Sequence, residues 1–189
     1  MGKEQDVDYY NKGYSKYYDP GIQNVYNRIH MILEENIGPC DSILEIGCGI
    51  GVLSEQLLER YPEYVGFDFS SVAINRCERG HSSSFNLHHF LIYDAYDPWI
   101  YKTEDWGCMV ATEVMEHLDD FRLLDNIPQG QLIIFSVPNF DDPAHVRVYY
   151  NEAFIKNRFK DHVVIKSIEK FKRDKSDDKY VFLVVGYKK

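Results

Sequence analysis

Two carboxylates and an imidazole lie close together near the middle of the chain, in the segment Glu113-Val-Met-Glu116-His117. If this segment is helical, positions i, i+3 and i+4 share one face, so Glu113, Glu116 and His117 converge. A histidine is suited to proton transfer near neutral pH, and the same three side chains are suitable ligands for Mg²⁺, Mn²⁺ or a similar ion. His145 is a candidate fourth ligand. The chemistry of these residues therefore suits a proton-transfer site or a metal site.

A glycine-rich turn earlier in the chain connects a predicted strand to a predicted helix. Residues 42–46 have the apolar, partly β-branched character of a buried parallel strand, and residues 52–60 carry apolar side chains at helical spacing. The sequence Gly-Cys-Gly-Ile-Gly lies between them, where missing side chains let the backbone approach a ligand closely. This is the pattern of a nucleotide-type cofactor loop. The dinucleotide fingerprint requires a glycine where this chain has Val52, which argues against NAD.

Acidic residues follow the next two predicted strands. Asp68 ends a strand about twenty residues beyond the glycine turn, where a carboxylate can accept hydrogen bonds from both hydroxyls of a ribose. Taken alone, Asp68 is equally suited to cap a helix that starts near Ser70, and Asp94, after a third strand, is suited to a turn. Both lie at the carboxyl ends of predicted parallel strands, where open α/β sheets bind ligands. Their common position favours a ligand-binding role.

With these landmarks in order, the chain resembles the class I S-adenosylmethionine-dependent methyltransferases. In that family the motif Glu-x-Gly-x-Gly-x-Gly begins at the residue that corresponds to Glu45, and an acidic residue, here Asp68, closes the second strand. The resemblance continues through Tyr93-Asp94-Ala95 and Ala111-Thr112-Glu113 and covers roughly residues 40–189. It implies S-adenosylmethionine as cofactor and S-adenosylhomocysteine as product. The cofactor-binding residues expected on this basis are Tyr14, Glu45, Gly47, Cys48, Gly49, Gly51, Asp68, Phe69, Asp94, Ala95 and Glu113.

The order of predicted elements indicates an α/β fold of the Rossmann-like, doubly wound type. Strands are expected near residues 42–47, 63–68, 86–93, 106–112, 131–137, 162–172 and 179–187, with helices around 22–37, 52–61, 71–79, 117–125 and 151–158. This alternation predicts a mostly parallel sheet with helices on both faces. The short loop before the last strand is suited to a hairpin, and the resemblance implies seven strands with the last one antiparallel. We expect one domain over residues 1–189, with residues 1–38 as an N-terminal cap or lid and helix and residues 39–189 as the catalytic core.

Charge and composition disfavour several classes of protein. The chain has 21 Lys and Arg against 30 Asp and Glu, a net charge of −9, so it lacks the basic surface expected of a nucleic-acid-binding protein. The beginning of the sequence lacks the features of a signal peptide, and no apolar run approaches the length that crosses a bilayer. These features predict a cytoplasmic protein that acts on a small molecule, with its oligomeric state open. The four cysteines form no CxxC pair and are expected to be buried free thiols, namely Cys40, Cys48, Cys77 and Cys108.

Tyrosines are concentrated in the first 25 residues of the chain. An aromatic face attracts a cation within about 6 Å, and the sulfonium of the expected cofactor is a cation. One interpretation is a lid that closes over the cofactor and excludes water. The other is that these rings only pack the N-terminal arm against the domain. The tyrosines concerned are Tyr9, Tyr10, Tyr14, Tyr17 and Tyr18, of which Tyr17 and Tyr18 are candidate substrate contacts.

The resemblance leaves three roles open for the Glu-x-x-Glu-His segment. In many small-molecule methyltransferases it only shapes the cofactor pocket, with the histidine against the adenosine, and we narrowly favour that role. In ubiquinone-pathway O-methyltransferases and small-RNA 3′-end 2′-O-methyltransferases a similar segment binds a divalent cation, although the RNA enzymes use a His-x-His segment that this chain lacks. In the third role, His117 is a base that acts without a metal, assisted by Glu113 and Glu116. A divalent metal is therefore possible but not favoured.

The loop after the fifth strand is expected to overhang the acceptor pocket. Its substrate-contact candidates are His145, Arg147, Tyr149 and Tyr150, and the guanidinium of Arg147 is suited to a carboxylate or phosphate. A solvated arginine on a surface loop is the competing interpretation. The sequence thus predicts transfer of a methyl group to oxygen or nitrogen of a small molecule. Two alternatives stay open: a metal-assisted O-methyltransferase of a quinone precursor or RNA 3′ end, and a non-catalytic module that binds S-adenosylmethionine.

Overall fold

The computed structural model describes residues 2–13, 22–38, 41–58, 60–61, 63–80, 90–173 and 178–189. Its strands, in chain order, are β1 Ile43–Ile46, β2 Tyr64–Asp68, β3 Phe90–Ile92, β4 Cys108–Ala111, β5 Leu132–Pro138, β6 Val163–Lys172 and β7 Tyr180–Lys188. They form one seven-stranded sheet in the order β3-β2-β1-β4-β5-β7-β6. Strands β1 to β5 pair in parallel, whereas β7 runs antiparallel to both β5 and β6. The predicted Rossmann-like sheet with an antiparallel last strand is confirmed.

Helices cover both faces of this sheet. They are α1 Val7–Gly13, α2 Gln23–Asn36, α3 Ser54–Leu57, α4 Ser71–Gly80, α5 Asp120–Leu124 and α6 Glu152–Phe159, and a 3-10 turn spans Ile100–Lys102. Successive side chains of a strand point to opposite faces, so Ile43 packs in a core cluster with α2, α3 and α4, and Leu44 packs in another with α5 and α6. Every residue of β1 and β4 is buried. This double burial explains why β4 is a continuous apolar run and why β1 is apolar except for Glu45.

The segment between β4 and α5 departs from the sequence prediction. A helix was expected around residues 117–125, but α5 begins at Asp120, where the Asp119 carboxylate caps it by accepting hydrogen bonds from two backbone amides. Glu113 has a φ of 55°, in the left-handed region that an α-helix does not use. Consequently Glu113, Glu116 and His117 do not lie on one helical face, and the helical spacing argument for them is wrong.

Several other expectations are met or lie outside the described residues. The predicted third strand over 86–93 is present as β3, although residues 86–89 are not described. Cys48, Cys77 and Cys108 are buried free thiols, as expected, and Cys40 is outside the described residues. Within the described part of the chain, no helix combines the length and apolar character needed to cross a bilayer.

Candidate active site

The glycine turn after β1 has a backbone that only glycine adopts readily. Gly47, Gly49 and Gly51 have φ values of 67°, 56° and 82°, all in the left-handed region. A Cβ on Gly47 would lie 2.6 Å from Cγ2 of Val114, so this position also lacks room for a side chain. Both constraints keep a side chain away from Gly47, so a ligand at the carboxyl end of β1 can approach the backbone there.

Asp68, the last residue of β2, connects this turn to the next helix. One carboxylate oxygen accepts a hydrogen bond from the Gly49 amide at 3.1 Å, and the other accepts from the Ser70 amide at 2.8 Å. The second contact is the local cap-like contact that the sequence also allowed, and the first fixes the glycine turn against β2. Asp68 thus holds the ends of β1 and β2 together at the edge of the sheet where open α/β folds bind ligands.

A buried carboxyl group lies beneath the same turn. Glu45 belongs to β1 and is fully buried, and the Tyr64 hydroxyl donates a hydrogen bond to it. Burial raises the pKa of Glu45 to about 8; the Tyr64 hydrogen bond opposes this shift, and the negative charge of Asp68 adds to it. A cation placed near this group would favour its ionised form. The arrangement is therefore suited to a positively charged ligand.

Two adjoining cavities open above the carboxyl ends of the strands. The larger has a volume of about 840 Å³ and is lined by Glu45, the first residues of the glycine turn, His117 and His145, while the smaller, of about 120 Å³, is lined by Asp68 and by residues after β3. Five residues line both cavities, namely Gln5, Tyr10, Gly47, Glu113 and His117. The predicted cofactor residues that line one or the other are Glu45, Gly47, Cys48, Gly49, Asp68, Phe69, Asp94, Ala95 and Glu113.

Glu113 is held at the junction of the two cavities by its own hydrogen bonds. Its backbone amide donates to Oγ of Ser136 at 2.9 Å, and that hydroxyl donates to Oε1 of Glu113 at 3.2 Å. Its other oxygen, Oε2, pairs with Arg173 at 3.2 Å. The pairing with Arg173, at the end of β6, was not apparent from the sequence, because 60 positions separate the two residues.

Glu116 is in the opposite situation. Its side chain is fully buried, and neither carboxylate oxygen has a hydrogen-bond partner among the described residues. Burial raises its pKa well above the usual range, and the negative charge of Glu113 adds to that shift. A buried carboxyl group without a partner is energetically costly. Glu116 is therefore the residue of the site whose interactions are least complete.

Two histidines face Glu116. Nδ1 of His117 lies 3.1 Å from the carbonyl oxygen of Ala144, and Nδ1 of His145 lies 3.1 Å from that of Phe140. Because a carbonyl oxygen only accepts, each Nδ1 carries the hydrogen, and each Nε2 of the neutral ring is left with a lone pair. The rings are 5.0 Å apart, and Nε2 of His117 is 3.9 Å from Oε1 of Glu116. Burial lowers the pKa of His117 to about 4, so its imidazole is neutral at physiological pH.

Comparison with known proteins assigns the chain to a family. A family model described as a methyltransferase domain matches residues 16–173 of the chain. The chain belongs to this family. The class I methyltransferase prediction is thereby confirmed. No curated protein sequence matches the chain.

Solved methyltransferase structures share the fold at low sequence identity. The N-methyltransferase NodS from Bradyrhizobium japonicum, in complex with S-adenosylhomocysteine, is 16% identical with a TM-score of 0.75, and the alignment covers 97% of this chain and 99% of NodS. Magnesium protoporphyrin IX methyltransferase from Synechocystis, with bound S-adenosylmethionine, is 15% identical with a TM-score of 0.66, over 89% of this chain and 80% of its own. A geranyl diphosphate C-methyltransferase from Streptomyces coelicolor is 12% identical with a TM-score of 0.63, over 86% and 77%. These proteins differ in acceptor, so their likeness establishes the fold alone.

The predicted substrate contacts of the methyltransferase are only partly brought to the cleft. His145 lines the larger cavity. Arg147 instead pairs with Asp120 at 3.1 Å, and the Tyr149 hydroxyl donates to the same carboxylate at 2.8 Å, so neither lines a cavity. Tyr150 is exposed and lines neither cavity. Among the remaining predictions, Gly51 also lines neither cavity, and Tyr14, Tyr17 and Tyr18 lie outside the described residues.

The N-terminal arm of the methyltransferase, residues 2–13, forms one wall of the cleft. The amide of Gly2 donates to the carbonyl oxygen of His145 at 2.8 Å, and the Tyr96 hydroxyl donates to Glu4 at 3.0 Å. The Tyr10 ring lies 5.7 Å from the His117 ring. These contacts agree with both interpretations of the N-terminal tyrosines, since a lid and a packed arm each touch the cleft. The aromatic composition was the only sequence signal for this wall.

Proposed function

We propose that the protein transfers a methyl group from S-adenosylmethionine to oxygen or nitrogen of a small-molecule acceptor. The observation that carries the proposal is the meeting of two cavities at Gly47, Glu113 and His117, with the family's acidic landmarks around them. In this proposal the adenosine lies in the smaller cavity with its ribose hydroxyls on Asp68. The methionine part of the cofactor then extends past Gly47 into the larger cavity, which also receives the acceptor.

Each residue of the cleft has a binding or positioning task in this proposal. Methyl transfer from a sulfonium is an in-line displacement, so alignment of acceptor and methyl group accounts for much of the rate. The glycine turn lets the backbone approach the cofactor, and Glu45, when ionised, neutralises the cofactor's amino group. Tyr10 closes the cleft from the N-terminal arm and excludes water. These assignments rest on the cavity lining and on the burial of Glu45.

His117 is better suited to line the pocket than to act as an unassisted base. A general base is most effective when its pKa is near the working pH. The pKa of His117 is lowered to about 4 by burial, so protonating it at pH 7 costs about 4 kcal/mol. This cost argues against the metal-free base and is compatible with both other roles of the segment, pocket lining and metal binding. Nitrogen is a reasonable acceptor because NodS, which has the same fold, is an N-methyltransferase.

The remaining expectations belong to the same proposal. We propose that residues 1–189 form a single methyltransferase domain, in which residues 1–38 are a cap or lid and a helix. We also propose that the protein is located in the cytoplasm. The net charge of −9 supports a small-molecule acceptor over a nucleic acid. A binding module without activity would have the same cofactor residues, and only product formation separates it from an enzyme.

The experiment has two parts. Mass spectrometry of the purified protein tests for co-purified S-adenosylmethionine or S-adenosylhomocysteine, and thermal unfolding tests whether S-adenosylhomocysteine, but not NAD, raises the melting temperature. A screen of amines, phenols and alcohols then measures release of S-adenosylhomocysteine. Stabilisation by NAD, or by neither ligand, would contradict the cofactor assignment. Cofactor binding without release from any acceptor class would support the non-catalytic module.

A further inference from the structure

The fully buried carboxylate of Glu116, which has no hydrogen-bond partner in the described part of the chain, and the two imidazoles that face it are suited to a cation. We infer that Glu116, His117 and His145 form a binding site for one divalent ion of the first transition series. One candidate ligand atom from each residue lies within 4.8 Å of the other two. A bound ion would complete the interactions of Glu116, which has no hydrogen-bond partner among the described residues.

The two histidines are already oriented as metal ligands. A ligating histidine usually donates its other ring N–H to a carbonyl or carboxylate, which fixes its tautomer and orientation. Both rings have this arrangement, with Nδ1 of His117 on the carbonyl of Ala144 and Nδ1 of His145 on that of Phe140. Each Nε2 therefore has a lone pair available. The backbone carbonyls come from the loop after β5, so this loop positions both ligands.

The distances require only a small contraction. Metal bonds of about 2.1 Å place tetrahedral ligand atoms about 3.4 Å apart. Oε1 of Glu116 and Nε2 of His117 are 3.9 Å apart, and the whole set lies within 4.8 Å. Side-chain rotations of roughly 1 Å would close the site, which is within ordinary rotamer adjustment.

The ligand set differs from the one that the sequence suggested. Glu113 is engaged by Ser136 and Arg173, so it is not required as a ligand and His145 takes its place. Imidazole ligands favour zinc, copper, iron or nickel, whereas Mg²⁺ and Ca²⁺ prefer sites made of oxygen. Three protein ligands leave at least one coordination position open. Since both histidines line the larger cavity, that position faces the acceptor space; this last step rests on the proposed function.

Metal binding is tested without any activity measurement. Protein freed of metal with a chelator is titrated with Zn²⁺ by calorimetry and with Co²⁺ by visible absorption, which reports nitrogen ligands. We expect one equivalent to bind, and Glu116→Gln and His145→Ala each to weaken the affinity at least tenfold. The matched control is His162→Ala, because His162 lies 3.6 Å from Asp125 in a pair of the same kind outside the cleft. Its affinity should equal that of the unmodified protein.

Three results would overturn the inference. The first is the absence of binding by the unmodified protein, which would indicate a protonated Glu116 without metal. The second is unchanged metal affinity in both Glu116→Gln and His145→Ala. The third is an equal loss of metal affinity in His162→Ala, which would indicate adventitious surface binding. Calorimetry with S-adenosylhomocysteine on every variant shows that each is folded. It also separates the two proposals. If the protein binds S-adenosylhomocysteine but no metal, the proposed function stands and only the metal site is contradicted.

Discussion

The proposed function assigns one part of the cleft to the cofactor and another to the acceptor, and these two parts, the cofactor half and the acceptor half, are built in different ways. The cofactor half, residues 45–51 and 68–70, lies at the ends of β1 and β2, and its carboxylates already have backbone or hydroxyl partners. The acceptor half, residues 113–118 and 141–150, is irregular and contains Glu116, which has no hydrogen-bond partner among the described residues. The first half is thus preformed by the sheet. The second half is not, because the described residues leave the buried Glu116 carboxyl group without a hydrogen-bond partner.

The acceptor half nevertheless has a rigid support beneath it. The buried carboxylate of Asp120 forms a two-point hydrogen bond with Arg158, with both distances 2.6 Å, and pairs with Arg147 at 3.1 Å. The Tyr149 hydroxyl completes the network at 2.8 Å. One carboxylate therefore connects α5, α6 and the loop after β5. Where strands do not fix a loop, a buried charge network does so.

The largest expected effect comes from breaking this network with Asp120→Ala. Removing one member of a buried ion pair leaves uncompensated charge and costs about 3–5 kcal/mol. Urea unfolding should show a loss of that size. Asp125→Ala is the control, because Asp125 is exposed and pairs with His162 at 3.6 Å, and its effect should stay within about 0.5 kcal/mol. Equal stability of the two variants would show that the network does not support the acceptor half.

The next effect concerns cofactor affinity in Gly47→Ala. The new Cβ meets Val114 at 2.6 Å and the backbone keeps a φ of 67°, so the turn must move, and we expect S-adenosylhomocysteine affinity to fall about 100-fold. Gly130→Ala is a matched control, because Gly130 has a φ of 83° but nothing within 4 Å of its Cβ position. It should lose stability and keep affinity. Calorimetry that finds the same affinity in both variants would contradict a cofactor role for the turn.

The same comparison explains what the sequence could predict. Glycines and acidic residues at strand ends are local signals, and the strands beneath them follow from apolar runs, so the parallel strands and the landmarks at Gly47 and Asp68 were predictable from the residues. The seven-stranded sheet with an antiparallel last strand followed from the family resemblance. The acceptor half depends on contacts between distant positions. Arg173 reaches Glu113 across 60 positions and Arg147 turns to Asp120, and neither pairing has a local sequence signature.

The helical expectation for residues 113–117 failed for a physical reason. The spacing Glu-x-x-Glu-His fits a helix, but the backbone at Glu113 adopts a φ of 55° and bonds to Ser136 on β5 instead. Tertiary context overrides local propensity here. The convergence of Glu116 with His117 arises from a turn, and His145 joins them from another loop. Sequence reasoning therefore selected Glu116, His117 and His145 as candidates but did not predict how the chain brings them together.

A smaller effect is expected for Asp68→Ala. Loss of a charged acceptor for two ribose hydroxyls should weaken S-adenosylhomocysteine binding by roughly 1–3 kcal/mol, which is about 5- to 150-fold in affinity. Asp97→Ala is the control. The Asp97 carboxylate accepts a hydrogen bond from the Trp99 amide at 3.0 Å, as the Asp68 carboxylate does from the Ser70 amide, but Asp97 lines neither cavity. Calorimetry should find that the cofactor affinity of Asp97→Ala is unchanged. Near-normal affinity in Asp68→Ala would leave Asp68 with a structural role only.

Glu45 should make cofactor affinity depend on pH. Burial raises the pKa of Glu45 to about 8. Below that pH, binding of the cofactor's ammonium group beside Glu45 must displace a proton. The affinity for S-adenosylhomocysteine should therefore rise by up to about tenfold per pH unit between pH 6 and 8. The folded state holds this proton more tightly than the unfolded state. The contribution of Glu45 to stability is therefore greatest below its unfolded pKa of about 4.5 and declines up to about pH 8.

Calorimetry across this pH range on Glu45→Gln supplies the control, because the amide oxygen can still accept the Tyr64 hydrogen bond while the group no longer titrates. The slope of affinity against pH should be lost in this variant. An unchanged slope would assign the pH dependence to another group and remove Glu45 from the cofactor half.

The smallest effect is expected at the N-terminal arm. The Glu4 carboxylate accepts a hydrogen bond from the Tyr96 hydroxyl at 3.0 Å and so connects residues 2–13 to the core. The substitution Glu4→Ala removes this contact. Exposed contacts involving a charged group are worth about 0.2–1 kcal/mol. Dissociation of S-adenosylhomocysteine, followed by stopped-flow fluorescence, should therefore accelerate by about 1.4- to 5-fold. Glu152→Ala is the control, because Glu152 is also exposed and pairs only with Lys156, on α6, among the described residues. If both variants release the nucleoside at the unmodified rate, the arm is packing and not a lid, and closure of the cleft must come from elsewhere in the chain.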